Sequence, residues 1–282
     1  MTANKMLKTV FKNKFMLYYL EEDRYVGSNI ARCGEYEPYE TDLMLSNVRA
    51  SDIVIDVGAN IGFHTVLLAD KVGAAGQVLA FEPDPVNYSL LKKNIESNNL
   101  SNVKAFNIAL GNKQETKDLF LSKDNLGDHR LYSDNTDREK IAVECDTLDN
   151  VINKNKGQKR IRLIKIDTQG YEPFVIEGAK NLIHRDKPIL FLEYWPYGYR
   201  HSGGDAATIF DYLKKEYGEI YFIDEENRCN FPVNKKFADN YCEKMEGMMH
   251  CNICCKKNYL FKIMGIVRRY IRPASLNDIF IN

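Results

Sequence analysis

The sequence has no surplus of either charge: 39 Lys and Arg stand against 39 Asp and Glu. A protein that binds by neutralising phosphates needs Lys and Arg clustered over a whole face, so nucleic acid is not an expected partner. No apolar run approaches the roughly 18 residues of a membrane span. The G-x-G-x-x-G fingerprint of nicotinamide cofactors and the Walker lysine are both absent, which argues against a phosphate cradle. There is no internal repeat and no long Pro- or Ser-rich linker. Seven cysteines, at 33, 145, 229, 242, 251, 254 and 255, are odd in number and irregularly spaced, unlike a secreted disulfide framework. A reducing, cytoplasmic location is the expectation. The N-terminal apolar run Phe15–Leu20 is short and is followed by Glu21-Glu22-Asp23, without the features of a signal peptide.

What is present is an alternation of short apolar runs with amphipathic segments, the sequence form of an α/β fold with a mostly parallel sheet covered by helices. Residues 15–31 read as two short strands around a turn at Glu21 to Arg24, and Glu37 to Val48 as a helix leading into the core. Strands are expected at 53–55, 77–81, 103–108, 141–143, 161–166, 189–192 and 220–222, with a last one at 258–263. Asp84 is placed as an N-cap with Pro85 as first helical residue, and Val86, Leu90, Leu91 and Ile95 are the side chains to bury. The expected organisation is an N-terminal extension over 1–48, a main domain over 49–264 and a basic tail over 265–282.

Ligands of such sheets collect beyond the carboxyl ends of the strands. The first end reads Asp56-Val57-Gly58-Ala59-Asn60-Ile61-Gly62-Phe63-His64. Two glycines there permit a tight turn, and Asn60 tolerates a positive φ. The next strand ends Phe81-Glu82-Pro83, and Glu82 is placed to accept hydrogen bonds from both hydroxyls of a ribose. An adenosyl cofactor without phosphates satisfies both features. Asp167 and Glu193 close two further apolar strands, where an unpaired charge is costly. Cys242, His250, Cys251, Cys254 and Cys255 lack a second ligand pair at suitable spacing, so no metal is expected and a strand of small thiols is the simpler reading.

The runs Asp56 to Gly62, Phe81-Glu82-Pro83-Asp84-Pro85, Ala109-Leu110-Gly111, Thr147-Leu148-Asp149, Lys165-Ile166-Asp167 with Gly170 and Glu172, and finally Glu193, occur in an order that resembles the FkbM family of S-adenosylmethionine-dependent methyltransferases. The likeness extends over about residues 34–195, with Gly34-Glu35-Tyr36-Glu37-Pro38 resembling the segment before the family's first strand. It implies a class I methyltransferase fold: a Rossmann-like sheet of seven strands, mostly parallel, the last antiparallel, with helices on both faces. It also implies O-methylation of a carbohydrate or glycoconjugate hydroxyl. Transfer to nitrogen or another small acceptor, and a non-catalytic cofactor-binding interaction protein, are the alternatives. One departure is Gln169, where the family usually has an acid in a D-x-E-G pattern.

The roles this resemblance implies are specific. Gly58, Asn60 and Gly62 would carry the methionine part of S-adenosylmethionine, with Asp56 near its ammonium, Glu82 on the ribose, and Asn107 to Ala109 beside the adenine. Asp167, His64 and Glu193 are the candidate bases, and Glu172 would substitute for the missing acid. His64 is expected to stay neutral in the first turn of its helix. Tyr36, Glu37, Tyr194 and Trp195 are expected to line the acceptor site, a small molecule or glycan. Gly198, Gly203 and Gly204 would give the segment after the fifth sheet strand the mobility of a lid. Leu260 to Arg272 offers an amphipathic membrane-surface or subunit contact, although a packed tail is simpler.

Overall fold

The computed structural model describes residues 5–123, 125–133, 136–154, 160–243 and 250–257. In chain order the elements are β1 (Met6–Phe11), β2 (Phe15–Leu20), α1 (Gly27–Cys33), α2 (Pro38–Asn47), β3 (Ile53–Val57), α3 (Phe63–Val72), β4 (Gln77–Phe81), α4 (Pro85–Ser97) and β5 (Val103–Phe106). Then follow β6 (Ala109–Leu110), β7 (Glu115–Leu121), β8 (Glu139–Asp146), α5 (Leu148–Lys154), β9 (Ile161–Ile166), α6 (Glu172–Glu177), α7 (Lys180–Asp186), β10 (Ile189–Tyr194) and α8 (Pro196–Ser202). The chain continues with α9 (Ala206–Tyr217), β11 (Ile220–Asp224), β12 (Cys229–Val233), α10 (Lys235–Glu243) and β13 (Cys251–Cys255).

The central sheet runs β5-β4-β3-β9-β10-β13-β11-β12. From β5 to β10 neighbours are parallel; β13 is antiparallel to both β10 and β11. This is the class I methyltransferase order with one addition, the edge strand β12, which forms a hairpin with β11. The strands β3, β9 and β10 are buried on both faces, as helices covering a parallel sheet require. The last strand is built from Cys251–Cys255, whose cysteines are 0–4% exposed. It lies upstream of the expected strand at 258–263; that segment, the amphipathic stretch 260–272 and the tail 265–282 lie outside the described residues.

Two expectations near the N-terminus are corrected. The hairpin is β1–β2, turning at Lys12 and Asn13, which both take positive φ. The expected second strand is instead α1, because the buried Asp23 carboxylate accepts from the backbone of Val26 and Gly27 and nucleates a helical turn. Three basic residues at this end face acids in solvated ion pairs, Lys5 with Glu21, Lys12 with Glu35 and Lys14 with Asp70. The hairpin is held to the main sheet by two asparagines one turn apart on α4. Asn94 exchanges hydrogen bonds with both backbone groups of Tyr18, and Asn98 with those of Met16, so the helix completes the edge of β2.

Asp84 caps α4 as expected, accepting from Val86 and Asn87 N–H, with Pro85 following. Val86 is corrected: it is 48% exposed, while Leu90 and Leu91 are buried. The polar excursion between β5 and β9 forms a small sheet, β6-β8-β7. After β10, α8 is packed, with Tyr199 fully buried and its hydroxyl donating to the Glu193 carbonyl. No helix among the described residues is long and apolar enough to cross a membrane.

Candidate active site

Strand order reverses between β3 and β9, so the loops leaving their carboxyl ends diverge and leave a cleft between them. A cavity of about 290 Å³ lies there. The β3 loop forms one wall. Asn60 takes φ +50, Gly58 φ +73. A Cβ on Gly58 would sit 1.8 Å from the Asp167 carbonyl oxygen, so the backbones after β3 and β9 meet here without a side chain between them. Gly58→Ala is therefore expected to destabilise the fold by about 2–4 kcal/mol or more, read as a lowered midpoint in urea unfolding.

Glu82, at the end of β4, faces the cavity and is 5% exposed. Its two oxygens accept from Asn60 N–H at 2.8 Å and Asp84 N–H at 2.9 Å. Burial pushes this carboxyl up to about 8, against the pull of those backbone bonds. The cavity roof comes from the excursion: the Leu126 carbonyl accepts from the side-chain amides of Asn60 at 3.1 Å and Asn87 at 2.8 Å. Leu126, Gly127 and His129 all line the cavity. Sequence reasoning missed them because nothing in a polar loop signals which residue folds back over a wall 66 positions away.

At the other end Asp167 lies between Lys165 and Gln169. Its Oδ2 is 3.2 Å from Lys165 Nζ and its Oδ1 accepts from Gln169 Nε2 at 2.9 Å. Burial raises the carboxyl, but Lys165 and the Gln169 bond outweigh it and hold Asp167 below its ordinary value. The family's usual acid at position 169 has no such N–H to give. Burial likewise opposes the charge on Lys165, and the nearby carboxylates of Asp167 and Asp56 more than restore it. Glu193 is 6% exposed; its Oε1 is 3.2 Å from His250 Nδ1 and 3.4 Å from Gln169 Nε2. Burial first, then Asp167 and Glu172, push its carboxyl well above the ordinary range.

His64 lines the cavity with Nε2 3.1 Å from Thr41 Oγ1. Burial lowers it to about 3, with the Lys165 charge contributing, so the imidazole is neutral and a weak base at pH 7. The expected helix-end effect is thus secondary to desolvation.

Of the remaining expected residues, Tyr36, Glu37 and Ala109 line the cavity. Six do not. Asp56 lies behind it, accepting from Thr65 Oγ1 at 2.6 Å and 3.9 Å from Lys165 Nζ. Gly62 is spaced for packing: a Cβ would meet Leu91 at 2.6 Å. Asn107 is exposed and donates to the carbonyls of Glu82 and Pro83, bracing the turn after β4. Glu172 accepts from Thr168 and Gly170 N–H, so it shapes the loop that carries Asp167. Tyr194 is buried on the far side with its hydroxyl on Asp239. Trp195 is buried under the Arg130 guanidinium, 5.0 Å from its ring. Strand alternation explains Tyr194: Glu193 points into the cleft, so its neighbour on β10 points away.

A cradle this close to backbone, an orphaned Asn60 Oδ1, and a carboxylate at the end of β4 fit a polyhydroxyl, zwitterionic ligand without phosphates. Residues 56–221 match the model of the methyltransferase FkbM domain. The chain belongs to the FkbM methyltransferase family. Among curated relatives, Methyltransferase 1 of Beauveria bassiana (strain ARSEF 2860) is 26% identical over 167 residues, 53% of this chain and 63% of that protein. Methyltransferase sdnD of Sordaria araneosa is 28% identical over 194 residues, 57% and 74% of the two chains. The FkbM chain therefore spans less than two thirds of the first of these. Among solved structures, methyltransferase FkbM from Methylobacillus flagellatus KT is 15% identical, with TM-score 0.45, over 74% of this chain and 44% of that one. An O-methyltransferase from Bacillus cereus in complex with SAH is 13% identical, with TM-score 0.42, over 79% and 83%.

Proposed function

We propose that this FkbM protein methylates a hydroxyl oxygen of a carbohydrate or glycoconjugate. The observation that carries the reading is the ionised Asp167 carboxylate facing a cavity end lined by carboxyl and amide side chains, among them Glu37, Gln169, Glu193 and Asn252. Such a lining exchanges hydrogen bonds with an acceptor rich in hydroxyls; an apolar acceptor would take these polar groups out of water without offering them partners.

Gly58 and Asn60 would hold the amino-acid part of S-adenosylmethionine, Glu82 its ribose, and Ile108 with Ala109 its base. The cofactor supplies a methyl group already activated by a sulfonium. The chain's own contribution is alignment and proton management. Asp167 accepts the hydroxyl proton as the oxygen attacks, and its lowered basicity suits a proton that departs only as the new bond forms. Lys165 keeps Asp167 charged in a half-buried site, and Gln169 fixes its rotamer by holding Oδ1. His64, neutral and bonded to Thr41, orients the wall beside it.

The test is transfer of a labelled methyl group to a panel of neutral and amino sugars and their glycosides. Product recovered as a methyl ether is the expected result. Label recovered on nitrogen, or none transferred to any hydroxylated acceptor, would overturn the reading.

A further inference from the structure

The acceptor end of the cavity gathers more carboxyl groups than it has Lys or Arg side chains to pair with them. Glu37, Glu40, Asp167 and Glu193 all line it, and Lys165 is the one Lys or Arg doing so among the described residues. That lysine is engaged by Asp167 at 3.2 Å and Asp56 at 3.9 Å. The register of β10 against β13 sets Glu193 opposite Asn252, whose amide reaches Glu37 at 3.3 Å and also bonds Glu40. The three glutamates thus meet around one asparagine, which donates to two of them.

A second observation points to a missing partner. Glu193 is 6% exposed, and while its Oε1 faces His250 and Gln169, its Oε2 is buried with no hydrogen-bond partner. A buried carboxylate oxygen without a donor is costly and marks a place where a ligand donates.

We propose that the acceptor carries a cationic amine, as an amino sugar does, and that Glu193, backed by Glu37 and Glu40, receives it and so orients the neighbouring hydroxyl toward Asp167. This rests on the methyl-transfer reading above and names its substrate class. Burial and repulsion from neighbouring carboxylates, Asp167 included, raise the Glu37 carboxyl to about 7 and hold those of Glu40 and Glu193 well above the ordinary range, a strain that an ammonium among them relieves.

The experiment is calorimetry at pH 7 on the full chain saturated first with S-adenosylhomocysteine and then with S-adenosylmethionine, titrated with glucosamine, N-acetylglucosamine and glucose. Glucosamine is expected to bind about tenfold or more tighter than the other two with either cofactor bound. In Glu193→Gln, which keeps shape and size, the ratio of glucosamine to glucose affinity is expected to fall toward one. Equal affinities for the three sugars overturn the inference. So does an advantage present with S-adenosylhomocysteine but lost with S-adenosylmethionine, because the carboxylates would then serve the sulfonium. Failure of both cofactors to bind would overturn the cofactor reading itself, a different result from cofactor binding without amine preference.

Discussion

Glu82→Gln is expected to weaken S-adenosylhomocysteine binding about 100-fold or more, measured by calorimetry at pH 8. Two hydrogen bonds from ribose hydroxyls to a buried carboxylate are charge-assisted, each worth about 1.5–3 kcal/mol, and an amide cannot replace both acceptors. The isosteric change keeps one of the two backbone bonds of the turn, whereas Glu82→Ala would strand the N–H groups of both Asn60 and Asp84. Unchanged affinity would remove Glu82 from the cofactor site.

The same residue predicts a pH dependence. The Glu82 carboxyl is raised to about 8 in the folded chain from 4.5. A ligand that donates to the carboxylate must displace that proton, so affinity should rise about tenfold per pH unit up to about 8 and then level, with proton release on binding. In Glu82→Gln this slope should disappear. For stability the sign is opposite. Between 4.5 and about 8 the folded chain holds a proton that the unfolded chain has lost. The contribution is therefore full below 4.5 and is lost as pH rises toward 8, by about 1.4 kcal/mol per unit within that window. Glu37 and Glu172, raised to about 7, act in the same direction. The ligand-free protein should melt higher near pH 5.5 than near pH 8.5.

Asp167→Asn is expected to lower kcat by about 10²–10⁴-fold while S-adenosylhomocysteine affinity changes only a few-fold. The substitution keeps the shape at the end of β9 and removes the proton acceptor. Single-turnover rates would separate this from slowed product release. A parallel loss of cofactor affinity would instead make Asp167 part of the cofactor's seat, and unchanged turnover would pass the proton to another group. His64, lowered to about 3, is a poorer acceptor at neutral pH.

Legibility followed the range of the interactions involved. The strand at Gln77–Phe81, the Asp84 cap and the strand at Ile161–Ile166 were readable because each rests on local patterning: an apolar run, a cap and a proline at fixed offsets. So were Gly58, Asn60, Glu82 and Asp167, since strand ends carry their polar residues to one rim. Gly62 and Asn107 carried the same local signal, yet Gly62 packs on the Leu91 side chain and Asn107 donates to the carbonyls of Glu82 and Pro83, contacts that no local pattern marks. The start of α2 shows the same limit: its N–H groups at Tyr39 and Glu40 are accepted by Glu225, more than 180 residues away.

The amino-acid sequence by itself determined the alternating α/β order, the turn after residue 56 and the acids that end β4 and β9, all consequences of apolar periodicity and of what a backbone allows locally. Only the tertiary structure decided that β13 enters beside β10, bringing His250 and Asn252 to Glu193, and that the loop around Leu126 folds over the cavity. Those placements depend on sheet pairing and loop closure across long separations, where the free energy gained comes from partners that neighbouring residues cannot name.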